Sequence, residues 1–588
     1  MNLFKRILLV SCLYSLQAGA QTADSNKLET KPTLPKNWHL LDYSPNGYQG
    51  INLEKAYAHL SNNGRKSKKV IVAVIDSGID TLHEDLKPIL WKNRGEIPGN
   101  GKDDDKNGYV DDIHGWNFLG GKDGRNVKED SYEAARLFHK LKSKWENFQG
   151  AEEGLSETDK KELTSFKKAK NAITGEESAE ELKFLLTLQP KLIKGDSAIR
   201  SELGKEKYTA ADLKTFKPST PEGKNMRMFL LRVSGSNDNA DISNEQMLEE
   251  IGNSIRKADA ANNPPKEYRK EIVGDNESDI NDKYYGNNDL MAETPFHGTH
   301  CAGIIGAVRN NGLGMDGVAD NVEIMMLRAV PDGDEHDKDI ALAIRYAVDN
   351  GAKVISMSFG KGFSPEKKWV DEAFKYAEKK DVLLIHAAGN DAKNIDSADN
   401  FPNPVYDNGS GRAATVITVG ASGDKLNGGI TASFSNYGKR ELDVFAPGVG
   451  IYSTIPGGNT YGNSSGTSMA CPVVAGLAAL IFEYYPNLTA TEVKELIEIT
   501  ARKITDSVRV PGTTEMTLMS ELCRNAGIID AYEAITMADR LSVMKASDRN
   551  SSSGSASKSP ASVPVKKATT AKPASPAKKL TPIKKSGK

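Results

Sequence analysis

The run Gly466-Thr467-Ser468-Met469-Ala470-Cys471-Pro472, continued by the apolar stretch Val473 to Leu480, constrains this chain more than any other segment. Only small residues hold a hydroxyl out of a turn while the next residues enter a buried helix whose free N–H groups surround it. Ser468 is therefore a candidate nucleophile. A serine hydroxyl reacts poorly until a base takes its proton and a third group orients that base. Two upstream segments offer such partners. His297 lies in Pro295-Phe296-His297-Gly298-Thr299-His300-Cys301-Ala302-Gly303, a polar turn entering the apolar run Ala302 to Val308. Asp76 ends the apolar run Val70 to Ile75, which places a carboxylate at the exit of a buried strand.

These segments, with Ser356-Met357-Ser358-Phe359-Gly360 and Ala387-Ala388-Gly389-Asn390, resemble the signature set of the subtilisin-like serine proteases over Trp38 to Gly120 and Asp289 to Met537. The order Asp, His, Ser is that of subtilisin. The resemblance implies that His297 takes the proton of Ser468 while Asp76 orients and stabilises the imidazolium. It places the base at the first histidine of the run, so His300 is read as structural. It also implies an oxyanion site made by the Asn390 amide and the Ser468 N–H. The edge Ser358, Phe359, Gly360 should pair with an extended substrate, with Ala387, Ala388 and Gly389 lining the other side of the primary pocket and Asn400 and Phe401 near its base. The expected activity is endopeptidase hydrolysis of protein or peptide substrates. A peptide ligase or cyclase on the same triad, and a catalytically silent envelope-binding protein, are the alternatives.

The fold class is α/β. Short apolar runs at Val322 to Val330, Ala352 to Phe359, Val382 to Ala388, Thr415 to Ala421 and Leu442 to Phe445 alternate with helical patterns at Asp339 to Asn350 and Trp369 to Lys379. A later helix is expected over Glu492 to Thr500. This rhythm predicts a doubly wound parallel sheet with helices on both faces and the site at the carboxyl ends of the strands. Residues 121–288 interrupt it. They are dense in Lys and Glu, and capping signatures recur at Ser156 to Asp159, Ser178 to Glu181, Thr209 to Asp212 and Ser243 to Gln246. We expect a mostly helical insertion emerging near the active-site face. The resulting organisation is a signal segment 1–20, an extension 21–37, the catalytic domain in two parts (38–120 and 289–545), the insertion 121–288 and a disordered tail 546–588.

Lys5 and Arg6 precede the apolar Ile7 to Leu16 and the small residues Ala18-Gly19-Ala20, as in a secretory signal. Secreted or periplasmic location follows, and Leu9-Val10-Ser11-Cys12 leaves outer-envelope lipid anchoring as a lesser reading. No transmembrane segment is expected after signal removal. Trp38 to Tyr57 resembles the start of a mature subtilase domain, which leaves no room for the usual inhibitory propeptide. Removing the signal leaves Cys301, Cys471 and Cys523, an odd set that points to packing rather than a disulfide framework. Net charge is −2, yet Asn550 to Lys588 holds nine lysines and no acid; taking nine positive charges from −2 leaves −11 on the rest. That tail suits an anionic envelope polymer, with no specific nucleic acid implied.

Two acidic segments remain. Asp103, Asp105, Asn107, Tyr109 and Asp111, around Gly108, follow the ligand spacing of a calcium loop without its closing glutamate, so structural Ca2+ is expected, a solvated acidic turn being the other reading. Asp332 to Asp339 carries five acids, and the resemblance sets this loop beside the outer non-primed subsites, where basic substrate residues would be favoured. Ordinary acidity at a helix N-terminus is the alternative.

Overall fold

Strands buried on both faces read as continuous apolar runs, and six such runs, with the short strand Gly115–Asn117 at one edge, make up most of one sheet. β1 (Val70–Asp76), β2 (Gly115–Asn117), β3 (Val322–Arg328), β4 (Val354–Met357), β5 (Leu383–Ala387), β6 (Val416–Asp424) and β7 (Val444–Pro447) lie in the order β7-β6-β5-β4-β1-β3-β2, every neighbouring pair parallel. Gly527–Ile528 and Arg502–Lys503 extend the β7 edge, and Asn427–Thr431 folds back antiparallel on β6. The computed structural model describes residues 34–554 apart from 45–46, 175, 238–241, 293–294, 408 and 426. The signal segment and most of the tail thus lie outside the described residues.

The period-2 geometry of β1 shows how the layers form. Val72 and Val74 face a core shared with α1 (Leu53–Asn62), while Ala73 and Ile75 face the opposite core. The helices of the insertion, α2 to α6, are described below. α7 (Phe296–Gly306) packs on the first face, and α8 (Asp337–Asp349) and α9 (Lys367–Lys379) cover the second. α10 (Thr467–Tyr484) and α11 (Ala490–Ile499) complete the first face. Among the described residues α10 alone has the length and apolarity to cross a membrane, but 89% of that window is buried; it is the core helix of the fold. The chain leaves β1 outward to β3 and returns to the other side of β1 as β4. That reversal opens a crevice at the carboxyl ends of β1 and β4.

In the insertion, α2 (Glu133–Trp145) and α3 (Glu157–Thr174) share a core in which the Phe138 and Phe166 rings stack 5.7 Å apart. α4 (Glu176–Leu203), α5 (Pro221–Asn237) and α6 (Asn244–Ala258) enclose a second core around Leu185, Met226, Leu230 and Ile251. Thr209 with Asp212 and Ser243 with Gln246 form reciprocal capping boxes, and Ser156 Oγ accepts from Asp159 N at 3.1 Å. α4 begins at Glu176 rather than at Ser178, because Glu176 and Glu177 favour a helix and suit the positive end of its dipole.

Two other expectations concern the chain ends. The stretch Gln21 to Lys36, polar enough to be expected loose, is described only from residue 34, where Lys36 Nζ donates to Tyr452 Oη at 2.8 Å. The final helix, α12 (Ala531–Gly554), continues past Ala546. Its first turns are fixed by buried Ala531, Ala534, Ile535 and Ala538, and adding residues to a formed helix costs little. It passes from a first unit ending at Ser542 into a second, Val543–Lys588, described only as far as residue 554.

Three buried histidines give the fold a pH dependence. Burial pushes His39 down to about 3, with His300 adding to the effect, and burial pushes His300 and His386 down to about 4. The unfolded chain binds these protons from about pH 6.5 downward while the native state refuses them, so stability present above 6.5 is lost as pH falls toward 4. Neither ring nitrogen of His39 has a hydrogen-bond partner among the described residues. His39→Leu should therefore flatten the decline of melting temperature between pH 6.5 and 4 without loss at pH 8. An unchanged slope would contradict this account.

Candidate active site

Asp76, the last residue of β1, is buried, and its Oδ1 accepts from Ser77 N and from His297 Nδ1, each at 2.7 Å. His297 stands in the first turn of α7. A Cβ at Gly298 would come within 2.1 Å of the Gly78 carbonyl, so only glycine lets this helix close on the β1 exit. With Nδ1 bonded to Asp76, Nε2 is the nitrogen left to act as base. Burial alone would lower the ring's pKa, but the Asp76 carboxylate outweighs it and holds the imidazolium well above 6.5. The His297 side chain keeps 38% of its surface open, so solvent screening trims that rise.

Ser468 lies in the first turn of α10. Its Oγ donates to the Ser358 carbonyl at 3.0 Å, and Ser358 Oγ donates to the Ser468 carbonyl at 3.0 Å. The Ser468 hydroxyl thus rests against the segment after β4, and a turn about its Cα–Cβ bond would swing it toward His297; such bonds commonly tighten only when a ligand is present. Cys301, one turn after His297, donates to the Ser468 carbonyl at 3.4 Å and lies 3.9 Å from His297 Nδ1. It fills the space beneath the pair. His300 is buried, with Nε2 donating to the Gly462 carbonyl at 3.1 Å.

Asn390 is oriented by a neighbour that sequence reading passed over. Thr467 N and Oγ1 both donate to Asn390 Oδ1, at 2.9 and 3.0 Å, while Thr467 Oγ1 accepts from Gly389 N at 3.0 Å. Two donors on one oxygen fix which end of the amide is which. The Nδ2 donors are left over, with no protein partner among the described residues. Asn436 holds the same loop: its Oδ1 accepts from Asp391 N and Lys393 N, and its Nδ2 donates to the Ala388 carbonyl. Asn436 sits in Ser435-Asn436-Tyr437-Gly438, which reads as an ordinary turn, so no sequence signal marked it.

The edge residues Ser358, Phe359 and Gly360 leave β4, and Ala387, Ala388 and Gly389 leave β5 beside them. His386 Nε2 donates to the Phe359 carbonyl at 2.9 Å. Lys361 and Phe401 exchange N–H···O bonds of 2.9 Å in both directions, joining the two walls. A cavity of about 530 Å3 bounded by Glu366, Ile395, Asn400, Phe401 and Asp407 lies behind this junction and touches no triad residue; the chemistry is in the open cleft instead.

Both acidic segments depart from expectation. Of the carboxylates among Asp103, Asp105, Asn107, Tyr109 and Asp111, Asp105 is the one that joins a close carboxylate group. Asp103 accepts from Asn107 N and Gly108 N, Asp111 accepts from Asn100 N and Gly101 N, and the Tyr109 ring is packed against Trp116. Short acidic loops satisfy their own amides, and Glu96 does the same, accepting from Asp104 N, Asp105 N and Asp111 N. The group that does converge is Glu96, Asp105 and Asp112, with ligand atoms within 4.8 Å of one another. Among the described residues none of the three has a Lys or Arg within ion-pair distance. Burial pushes Asp112 up to about 6, with Asp105 adding to the effect. Three hard oxygen donors lacking a cation suit Ca2+.

The acids of Asp332 to Asp339 face inward rather than toward substrate. Asp339 is bonded to Arg269 at 2.5 Å, Asp337 lies 2.9 Å from Lys361, Asp334 accepts from Glu133 N at 2.8 Å, and Asp332 lies 3.8 Å from Arg256. A run of acids reads as solvated until the fold brings up its cations. Asp332, Asp337 and Asp339 thus have cations of their own, whereas the Glu335 carboxylate is buried with Oε1 lacking a hydrogen-bond partner among the described residues.

The description "Subtilase family" matches residues 67–514. Over 211 residues the chain is 44% identical to the thermophilic serine proteinase of Bacillus sp. (strain AK1), covering 35% of this chain and 47% of that protein. It is 40% identical over 215 residues to subtilisin DY of Bacillus licheniformis, covering 36% of this chain and 72% of that protein. It is 36% identical over 236 residues to the cell wall-associated protease of Bacillus subtilis (strain 168), covering 40% of this chain and 24% of that protein. The chain therefore spans about a quarter and about half of the lengths of two of these relatives. With the match running from the strand that carries Asp76 past the helix that carries Ser468, this chain belongs to the subtilase family.

Proposed function

We propose that the chain is a secreted or periplasmic serine endopeptidase that hydrolyses peptide bonds in protein substrates. The observation that carries this reading is the 2.7 Å bond from His297 Nδ1 to buried Asp76, with Ser468 at a helix N-terminus and Asn390 donors left over beside it. Ser468 Oγ turns from the Ser358 carbonyl and attacks the substrate carbonyl as His297 Nε2 takes its proton. Asp76 stays ionised and stabilises the imidazolium. Negative charge on the carbonyl oxygen is met by Asn390 Nδ2 and the Ser468 N–H, which lies in the first turn of α10 and so lacks an intrahelical partner. His297 then passes its proton to the departing amine, and water repeats the sequence on the acyl-enzyme. Casein digested in 18O-water by the full chain should yield fragments with labelled C-termini, and Ser468→Ala should yield none. Joined products lacking added water, or no cleavage, would sink this reading.

Glu96, Asp105 and Asp112 would hold a structural calcium ion, whose charge would offset theirs and cross-link the loop that follows β1. A chelator should lower the melting temperature by several degrees, and Asp112→Asn should abolish the response. A melt insensitive to chelator would contradict this site. Secretion rests on residues 1–20, and contact with an anionic envelope polymer on the lysines of 546–588; sequence alone supports both.

A further inference from the structure

Lys361 directly follows the edge Ser358-Phe359-Gly360. Its main chain pairs in both directions with Phe401, placed near the base of the expected pocket, so its position ties the edge to that base. Its side chain is only 2% exposed. The ammonium donates to Glu133 Oε2 at 2.9 Å and to the Glu335 carbonyl at 2.7 Å, and lies 2.9 Å from Asp337 Oδ1. Two hydrogens of the ammonium are thus hydrogen-bonded, and Asp337 adds an ion pair. None of these partners belongs to the pocket. Glu133 is the first residue of the insertion helix α2, and Glu335 and Asp337 come from the acidic loop on which that helix sits.

The surrounding contacts make this a rigid joint. Arg136 Nη2 holds Glu133 Oε2 at 2.6 Å, and Glu133 N donates to Asp334. Asp337 also accepts from Ser364 Oγ at 2.9 Å and Glu366 N at 2.8 Å, fixing the chain beyond the edge. Phe363 packs against the α2–α3 core, and Lys168 of α3 pairs with Asp399 at 2.7 Å, next to the Asn400–Phe401 wall. The insertion thus holds the edge firmly and touches the segment before Asn400 through an exposed ion pair. A buried lysine loses its hydration on burial, and that loss is tolerable only where good acceptors surround it. An apolar residue would fill the same space, whereas an ammonium held by three acceptors fixes a position.

We propose that Lys361 is a positioning residue for the primary pocket, and that Glu133 makes the insertion part of the substrate-binding apparatus of this enzyme. The proposal rests on the endopeptidase reading. Removing one partner takes away one of the contacts that fix the edge while Asp337 still faces Lys361 and Arg136 still faces Glu133, so the loss falls on the position of the edge rather than on an unmatched charge. Misplacement by about 1 Å is enough to cost on the order of 100-fold.

The test uses the full chain and its Lys361→Met, Lys361→Arg, Glu133→Gln and Lys361→Met/Glu133→Gln variants, on tetrapeptide anilides carrying Phe or Ala before the scissile bond. We expect KM to rise about tenfold or more with kcat changed little, the Phe-to-Ala preference to change, and Lys361→Arg to recover part of the loss. Labelling of Ser468 by a small fluorophosphonate, which does not span the edge, should keep its wild-type rate. Unchanged KM and preference in folded variants would overturn the proposal, as would equal losses in labelling and in every substrate. Should Lys361→Met fail to fold, Glu133→Gln, which keeps a hydrogen-bonding amide, decides the matter. A wild-type chain that neither labels nor cleaves would overturn the endopeptidase reading itself, and this proposal with it.

Discussion

Ser468→Ala should lower kcat about 10⁶-fold, the magnitude found in subtilisin, while leaving the fold intact. The size follows from what the hydroxyl does. Without it His297 has no proton to take, and only binding and the oxyanion donors remain, worth about 10³ to 10⁴ over water. The structural cost is small: the bond lost is the one to the Ser358 carbonyl, worth about 1 kcal/mol at a half-buried position. Initial rates on a peptide anilide, with a thermal melt of the same sample, measure both. A loss below about 100-fold in a folded variant would mean that another residue is the nucleophile.

Asp76→Asn should cost about 10⁴-fold in kcat, because an amide facing Nδ1 no longer secures the tautomer that leaves Nε2 basic. It should also move the pH profile. His297 must be neutral to accept a proton, so activity appears as pH rises through its pKa. Asp76 holds that pKa above 6.5, which sets the acid limb of kcat/KM above 6.5 in the wild type. The same shift acts oppositely on stability: the Asp76–His297 attraction contributes fully below the unfolded pKa and is lost as pH rises through the folded one. In Asp76→Asn the acid limb should fall toward or below 6.5. An acid limb that stays put would show that Asp76 does not set the pKa of the base.

The segments that bring Asp76 and His297 together and set Ser468 at a helix start were legible because each sits where a parallel sheet must place it. Asp76 closes an apolar strand, and His297 and Ser468 open apolar helices, so local pattern and chemistry point the same way. The α/β class was legible for the same reason, since strands buried on both faces announce themselves as uninterrupted runs. What sequence could not show were pairings between distant residues. Asp332 to Asp339 looked free because Arg269, Arg256 and Lys361 are distant in the chain, and Thr467 and Asn436 looked like turn residues because their roles depend on the loop carrying Asn390. In the acidic loop after β1, spacing pointed to Asp103, Asp105, Asn107, Tyr109 and Asp111, while the carboxylates that gather are Glu96, Asp105 and Asp112, and Glu96 and Asp112 stood outside the counted pattern. The final helix outran its composition because packing of its first turns carried it forward.

The most direct test of the central claim is mass spectrometry of the full chain after reaction with a fluorophosphonate in calcium, mapped to the modified residue. The account predicts one adduct per chain, on Ser468, formed far more slowly in Asp76→Asn and absent in Ser468→Ala. Absence of an adduct, or modification at another residue, would contradict the assignment of Asp76, His297 and Ser468 as one catalytic unit.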